Sequence, residues 1–222
     1  MVDLREFRAQ LPAHFKPDLF IWIDQHDWNL PIYFDALDCP SVAIFGDTHL
    51  HLRQDPNVWL SYAREFDVVF LTFTKNHLEL FRQAGCRTVF WSPPACDPQV
   101  HCKMPAEKVY PVSFVGSTSS LHTERVGLLK CLLDKGVDLH VDSKILHEMS
   151  LIYSRSKVVF NKSLADDLNM RVFEAMATGS FLLTNRLPRE SGLEELFTDG
   201  QHLALYNDNN VLERIRYWLA KQ

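Results

Sequence analysis

Short apolar runs alternate with stretches of helical period from one end of the chain to the other. In the first half the runs are Leu19–Ile23, Ser41–Phe45, Val68–Thr72 and Thr88–Trp91. Each is nearly all apolar, the pattern of parallel strands buried on both faces. Between them the spacing predicts helices over about Leu30–Leu37, Val58–Arg64 and Asn76–Gln83, the last stopped by Gly85. The βαβαβαβ order that results predicts a parallel sheet with right-handed crossovers. Pro93–Pro111 then breaks the rhythm. It holds Pro93, Pro94, Pro98, Pro105 and Pro111 with little periodicity, and reads as a linker between two domains or as a long functional loop.

The alternation restarts after it. Strands are predicted at Val112–Val115, Leu139–Val141, Lys157–Asn161, Phe181–Thr184 and Leu203–Tyr206. Helices are predicted at Thr123–Asp134 (closed by Gly136), Leu146–Ser154, Leu168–Thr178 (closed by Gly179), Leu193–Phe197 and Val211–Lys221. The fold class expected is α/β, with two small Rossmann-like parallel-sheet domains in tandem over residues 1–108 and 109–222.

Composition narrows the partners. Of 222 residues, 46% are hydrophobic and 23% charged, which is globular and excludes a disordered chain. The formal net charge of −5 and the lack of a basic run exclude a general pull toward nucleic acid or anionic lipid. No apolar run has membrane-spanning length, and Met1-Val2-Asp3-Leu4-Arg5 lacks the apolar stretch of a secretion signal. Cys39, Cys86, Cys96, Cys102 and Cys131 are odd in number and have no CxxC spacing, so reduced thiols in the cytoplasm are expected. Cys96 and Cys102 flank His101, but a metal site would need a second ligand pair.

In open parallel sheets, ligands bind beyond the carboxyl ends of the strands, so the residues after each strand carry the chemistry. After Val112–Val115 comes Gly116-Ser117-Thr118-Ser119-Ser120. Such a run can aim backbone N–H groups at an anion where a helix N-terminus already favours one, and it equally reads as a serine-capped turn. Arg125 lies in the first turn of the next helix, where the macrodipole disfavours a cation, and an anion there would account for it. After Lys157–Asn161, Asp166 or Asp167 is placed to cap the following helix, and Arg171 again falls in a first turn. Glu174, three residues on, shares its face, so a surface Asp167–Arg171–Glu174 ion-pair ladder is the plain alternative to a diphosphate site.

The run Asn169-Met170-Arg171-Val172-Phe173-Glu174-Ala175-Met176-Ala177-Thr178-Gly179-Ser180, followed by Leu182-Leu183-Thr184, resembles the donor-site signature of CgeB-like glycosyltransferases of the GT-B superfamily. The likeness continues through Leu196-Phe197, Gly200 and Tyr206, and Phe114-Val115-Gly116-Ser117 with Arg125 resembles the start of that family's C-terminal domain. It covers Tyr110–Gln222 well and residues 17–98 more loosely, through Ile23-Asp24 and Asp47-Thr48-His49. The resemblance implies a GT-B-like fold with a shortened N-terminal, acceptor-side domain, since relatives carry a further βα segment before the equivalent of Leu19–Ile23. It implies transfer of a sugar from a nucleoside-diphosphate sugar to an acceptor hydroxyl on a glycan, protein or small molecule. Donor-binding residues would be Gly116, Ser117, Arg125, Asn169, Arg171 and Glu174, with Glu174 on the ribose and the two arginines on the diphosphate. Asp166, eight residues before Glu174, would lie near the transferred sugar. With arginines neutralising the leaving group, neither a metal nor another cofactor is expected.

Two strand ends in the first half are also polar: Asp24-Gln25-His26-Asp27-Trp28 and Gly46-Asp47-Thr48-His49-Leu50-His51. Asp47 or His49 could serve as the base that activates the acceptor, and Trp28 could stack on a sugar. Each also reads as a loop residue bonded to backbone. Two rival functions remain open at this point. One is a metal-dependent hydrolase using Asp24, His26, Asp47, His49 and His51; the other is a non-catalytic nucleotide-sugar-binding subunit.

Overall fold

The computed structural model describes residues 1–24, 30–120 and 122–221. It divides into two compact units, Met1–Pro93 and Pro94–Gln222.

The first unit runs β1 (Val2–Asp3), α1 (Leu4–Gln10), β2 (Phe20–Ile23), β3 (Pro31–Ile32), β4 (Ser41–Phe45), α2 (Thr48–Gln54), α3 (Pro56–Ala63), β5 (Val68–Leu71), α4 (Leu78–Gln83) and β6 (Val89–Trp91). Its main sheet has the order β2-β4-β5-β6, every neighbour parallel. One face is the core: Ala43, Phe45, Val69, Leu71 and Val89 lie against Trp59 and Ala63 of α3 and Phe81 of α4. The opposite face is not closed. Ile21 and Ile23 are 51% and 57% exposed and Phe90 is 50% exposed. Burial on both faces, expected from the apolar runs, therefore does not hold in this unit: helices α3 and α4 cover one face, and β2 keeps a strict alternation.

The helix expected over Leu30–Leu37 is absent. Pro31 and Ile32 pair in parallel with Val2 and Asp3, and Tyr33 takes a left-handed conformation (φ 65°) under the Arg5 guanidinium, 3.3 Å from its ring centroid. A left-handed residue ends any right-handed helix, and only a single 3₁₀ turn follows at Phe34–Ala36. The apolar pattern begins at Leu19, yet α1 precedes it, capped by the Asp3 carboxylate accepting from the N–H of Arg5 and Glu6.

The second unit runs β7 (Tyr110–Val115), α5 (Thr123–Asp134), β8 (Leu139–Asp142), α6 (Leu146–Ser154), β9 (Ser156–Asn161), α7 (Met170–Ala177), β10 (Phe181–Asn185), α8 (Leu193–Leu196), β11 (Ala204–Tyr206) and α9 (Val211–Leu219). Here the apolar runs are buried on both faces. Val112, Phe114, Val158, Phe160 and Leu183 pack under Leu129 and Leu132 of α5 and Val211 and Ile215 of α9. Helices α6 and α7 lie against β7, β9 and β10, where Val115, Val159 and Leu182 are buried.

Residues 94–108, expected to close the first domain or link the two, belong to this unit. Ser150 Oγ donates to the Val100 carbonyl (2.9 Å), Met104 N–H to Ser154 Oγ (3.0 Å) and Val109 N–H to the Arg155 carbonyl (2.8 Å). These bonds to the α6 region place the boundary at Pro93/Pro94.

The strand order β11-β10-β9-β7-β8 is parallel throughout and reverses between β7 and β9. The chain leaves β7 toward β8, then returns to the other side of β7 as β9. The loops after β7 and β9 therefore flank the point at which open parallel sheets bind ligands, at the carboxyl ends of the strands.

Candidate functional site

The loops on either side of that reversal carry the two first-turn arginines. Arg125, third residue of α5, is 2% exposed. Its Nε–H donates to the Lys162 carbonyl (3.1 Å) and its Nη1 to the Ser117 carbonyl (3.3 Å), so one guanidinium ties the loop after β9 to the loop after β7. Nη2 is buried with no hydrogen-bond partner among the described residues. Burial, then the neighbouring Arg171, pushes its pKa down to about 10, which leaves it a cation at neutral pH.

Arg171, second residue of α7, also has a buried Nη1 without a partner among the described residues. The guanidinium carbons of Arg125 and Arg171 lie 5.6 and 5.4 Å from the centroid of one ring, Phe114. Gly116 makes room for this. A Cβ there would stand 3.1 Å from Arg171 Nη1 and 3.2 Å from the Phe114 ring. Among the described residues Arg171 has no carboxylate within 4.0 Å, so the Asp167–Arg171–Glu174 ladder does not form. Two guanidiniums with unmet donors, each beside a helix N-terminus, are an arrangement whose chemistry suits an anion.

The rest of the loop after β7 departs in part from expectation. The Gly116 N–H donates to the Asp142 carbonyl (2.9 Å) as the end of the sheet ladder, so it is committed to the fold. Ser117 to Ser120 are exposed, and Ser117 Oγ accepts from the Ser119 N–H at 3.3 Å.

Neither Asp166 nor Asp167 caps α7. Asp167 closes a turn instead, accepting from the Leu164 N–H (2.6 Å) while its own N–H donates to the Leu164 carbonyl (2.9 Å). That turn puts Ala165 and Asp166 in left-handed conformations, φ 45° and 61°, and leaves Asp166 exposed. Asn169 holds the N-cap position without a capping bond, because its Nδ2 donates to Ser163 Oγ (2.9 Å). Asn169 Oδ1 is buried and has no hydrogen-bond partner among the described residues.

Glu174 sits one turn into α7, 8% exposed, its carboxyl pushed above the usual range by burial and drawn back in part by Arg171. Beside it is a residue the linear pattern does not single out for this site. His101 is buried, and its Nε2 lies 3.7 Å from Glu174 Oε1. Burial holds its pKa below the ordinary value. Its only sequence signal is a lone histidine between two cysteines, and the tertiary fold alone brings it to α7.

In the first unit, Asp24 and His51 come together: His51 Nε2 is 2.5 Å from Asp24 Oδ2, and its ring stacks on Trp59 at 3.7 Å. Of Gly46–His51, expected as a polar strand end, residues 48–51 lie in α2 (Thr48–Gln54). Asp47 precedes it partly exposed and His49 is buried in its first turn. Thr48 Oγ1 bonds to Thr74 Oγ1 and to His77 Nδ1 (2.8 Å), and burial depresses the His77 pKa. His26 and Trp28 lie outside the described residues. Among the described residues no group of three or more His, Cys, Asp and Glu is placed to hold a metal ion. No helix among them is long and apolar enough to cross a membrane.

Residues 135–222 match the model of a family described as glycosyl transferase-like. No curated protein matches the sequence significantly. Among solved structures, sucrose-phosphate synthase from Thermosynechococcus elongatus superposes with a TM-score of 0.60 at 12% identity, over 98% of this chain and 68% of that one. HepE of Anabaena, solved in complex with UDP-glucose, gives 0.62 at 14% identity over 91% and 68%. An alpha-glucosyltransferase solved with UDP and a 13-mer DNA gives 0.58 at 13% identity over 91% and 71%. With the two parallel sheets described above, these likenesses establish the fold as tandem Rossmann-like domains of the GT-B kind.

Proposed function

We propose that this protein is a cytoplasmic, CgeB-like glycosyltransferase that moves a sugar from a nucleoside-diphosphate sugar to an acceptor hydroxyl. The observation that carries the reading is the pair Arg125 and Arg171: adjacent cations with buried, unpartnered Nη atoms at the carboxyl edge of β7 and β9. A diphosphate answers both. It supplies oxygens to the unmet donors, and its charge meets two guanidiniums and two helix N-termini at once. The glycosyl transferase-like match over residues 135–222 spans Arg171 and Glu174, and the solved neighbours include complexes with UDP-glucose and UDP.

In this reading Arg125 and Arg171 stabilise the charge that develops on the leaving diphosphate as the glycosidic bond breaks. Because they are fixed before the reaction, little reorganisation is needed, which is the main source of such stabilisation. Glu174 accepts from the ribose hydroxyls. Asn169, with a buried free Oδ1, and Ser117 line the same loops. Asp166, exposed on its left-handed turn, is the carboxylate beside the transferred sugar. Asp47 is the better base for the acceptor than His49, because it is partly exposed and His49 is buried. The arginines take the charge-neutralising role that a metal fills in other transferases, so binding is proposed to be metal-independent.

A thermal-shift screen against UDP, GDP, ADP, CDP and dTDP, with and without EDTA, tests this. A ligand at a hundredfold excess over Kd stabilises by about 2.7 kcal/mol. The expected result is a selective shift with one or two diphosphates, unchanged by EDTA, and slow release of that diphosphate from its sugar conjugate. Absence of a shift with every nucleotide overturns the reading. Binding without hydrolysis or transfer would identify a non-catalytic nucleotide-sugar subunit.

A further inference from the structure

His101 is held in a tight turn, its N–H donating to the Asp97 carbonyl at 2.7 Å and the neighbouring Val100 carbonyl accepting from Ser150 Oγ. Its side chain is 6% exposed, and neither Nδ1 nor Nε2 has a hydrogen-bond partner among the described residues. A buried imidazole with both nitrogens unmet is costly, and side chains in such a state usually await a partner. The nearest is Glu174 Oε1 at 3.7 Å, itself a buried carboxyl with no hydrogen bond among the described residues. Closing that gap by about 0.8 Å makes a hydrogen bond of ordinary length.

We propose that His101 is a positioning residue of the donor site: its Nε2–H holds one oxygen of the Glu174 carboxylate, leaving the other for the ribose hydroxyls of a bound nucleoside diphosphate. The inference rests on the reading of Glu174 as a ribose ligand. A neutral imidazole carries one N–H, and donating it to Glu174 favours the charged carboxylate that a diol requires. The surroundings agree. Burial keeps His101 neutral, with Asp97 on its own turn favouring its charge and His147 of α6 opposing it. Around Glu174, burial disfavours the carboxylate, Arg171 favours it, and the Cys96 thiol feels its charge. His101 supplies the further hydrogen bond that tips Glu174 to the charged form.

Isothermal titration with the tightest binder among UDP, GDP, ADP and CDP tests this, using wild type, His101→Leu, His101→Gln, Glu174→Gln and the Leu/Gln double variant. Inorganic pyrophosphate, which lacks a ribose, is the control ligand. His101→Leu should weaken nucleotide binding about tenfold, the loss of one hydrogen bond to a charged group. His101→Gln, which restores an N–H donor, should recover most of it, and pyrophosphate affinity should not move. In the Glu174→Gln background, His101→Leu should have no further effect. The acid limb of the affinity–pH profile should move to higher pH in His101→Leu, because the carboxylate has lost its donor; loss of packing alone would not move it. Should His101→Leu lose its cooperative thermal transition, His101→Phe, which keeps a ring and has no N–H donor, carries the same expectation. If Glu174→Gln weakens binding while His101→Leu matches wild type, or weakens pyrophosphate equally, the role of His101 is refuted and the donor site stands. If Glu174→Gln has no effect, or wild type binds no nucleotide, the reading of Glu174 fails and this inference with it.

Discussion

Arg171→Met separates a ligand-binding cation from a structural one. Methionine keeps an apolar stem over Phe114 and removes the charge. In the free protein the two guanidinium carbons lie 5.6 and 5.4 Å from one ring centroid, so they are at most about 11 Å apart. At an effective dielectric constant near 20, their repulsion at that separation is roughly 1.5 kcal/mol, trimmed toward about 1 kcal/mol by water at the half-buried Arg171. The substitution should therefore stabilise the unliganded protein, raising Tm by about 2–4 °C for a chain of this size. It should also remove a charge-assisted hydrogen bond to the diphosphate, costing about 1.5–3 kcal/mol, or roughly 10–150-fold in Kd. Differential scanning calorimetry of the free protein and titration with nucleoside diphosphate read the two effects separately. At high salt the Tm gain should shrink as the repulsion is screened. A fall in Tm with unchanged nucleotide affinity would show that Arg171 serves the fold, and the anion-site argument would fail.

Further expectations follow from the same geometry. Gly116→Ala puts a methyl 3.1 Å from Arg171 Nη1, so Arg171 must shift; nucleotide affinity measured by titration should drop several-fold while circular dichroism stays that of wild type. Burial raises the Glu174 pKa in the folded state, so the folded protein binds the proton more tightly and stability falls as pH rises from the unfolded value through the folded one. Glu174→Gln should accordingly raise the Tm of the unliganded protein at neutral pH, with the gain vanishing below about pH 4, where both states are protonated. His51→Ala takes away a partner of Asp24, whose side chain is fully buried, and should destabilise the protein by about 2 kcal/mol in urea unfolding without altering nucleotide affinity. EDTA should change neither Tm nor the nucleotide-induced shift; stoichiometric zinc with a large loss on chelation would restore the hydrolase reading.

Much of the second unit is legible in the order of residues, for a physical reason. Its strands are buried on both faces, so β7, β9 and β10 read as mainly apolar runs, and Gly136 and Gly179 mark where α5 and α7 stop. First-turn arginines stand out for the same local reason, since a cation against the macrodipole calls for an explanation wherever the helix lies. The first unit is less legible. Pro31-Ile32 pairs with strand β1 almost thirty residues away, and Tyr33 turns left-handed under Arg5; both depend on partners that no local window contains. The cap of α7 was not legible: Asp166 and Asp167 suit an N-cap, but the 164–167 turn takes up Asp167 and the helix begins later, with Asn169 at the cap position. What the tertiary structure alone settled is convergence. The reversal of strand order between β7 and β9 carries Arg125 and Arg171 to one aromatic ring, and the docking of residues 94–108 on α6 brings His101 to Glu174. Sequence period reports which side of an element is buried, but which buried sides meet depends on long-range packing, and the chemistry of this site is a property of that meeting.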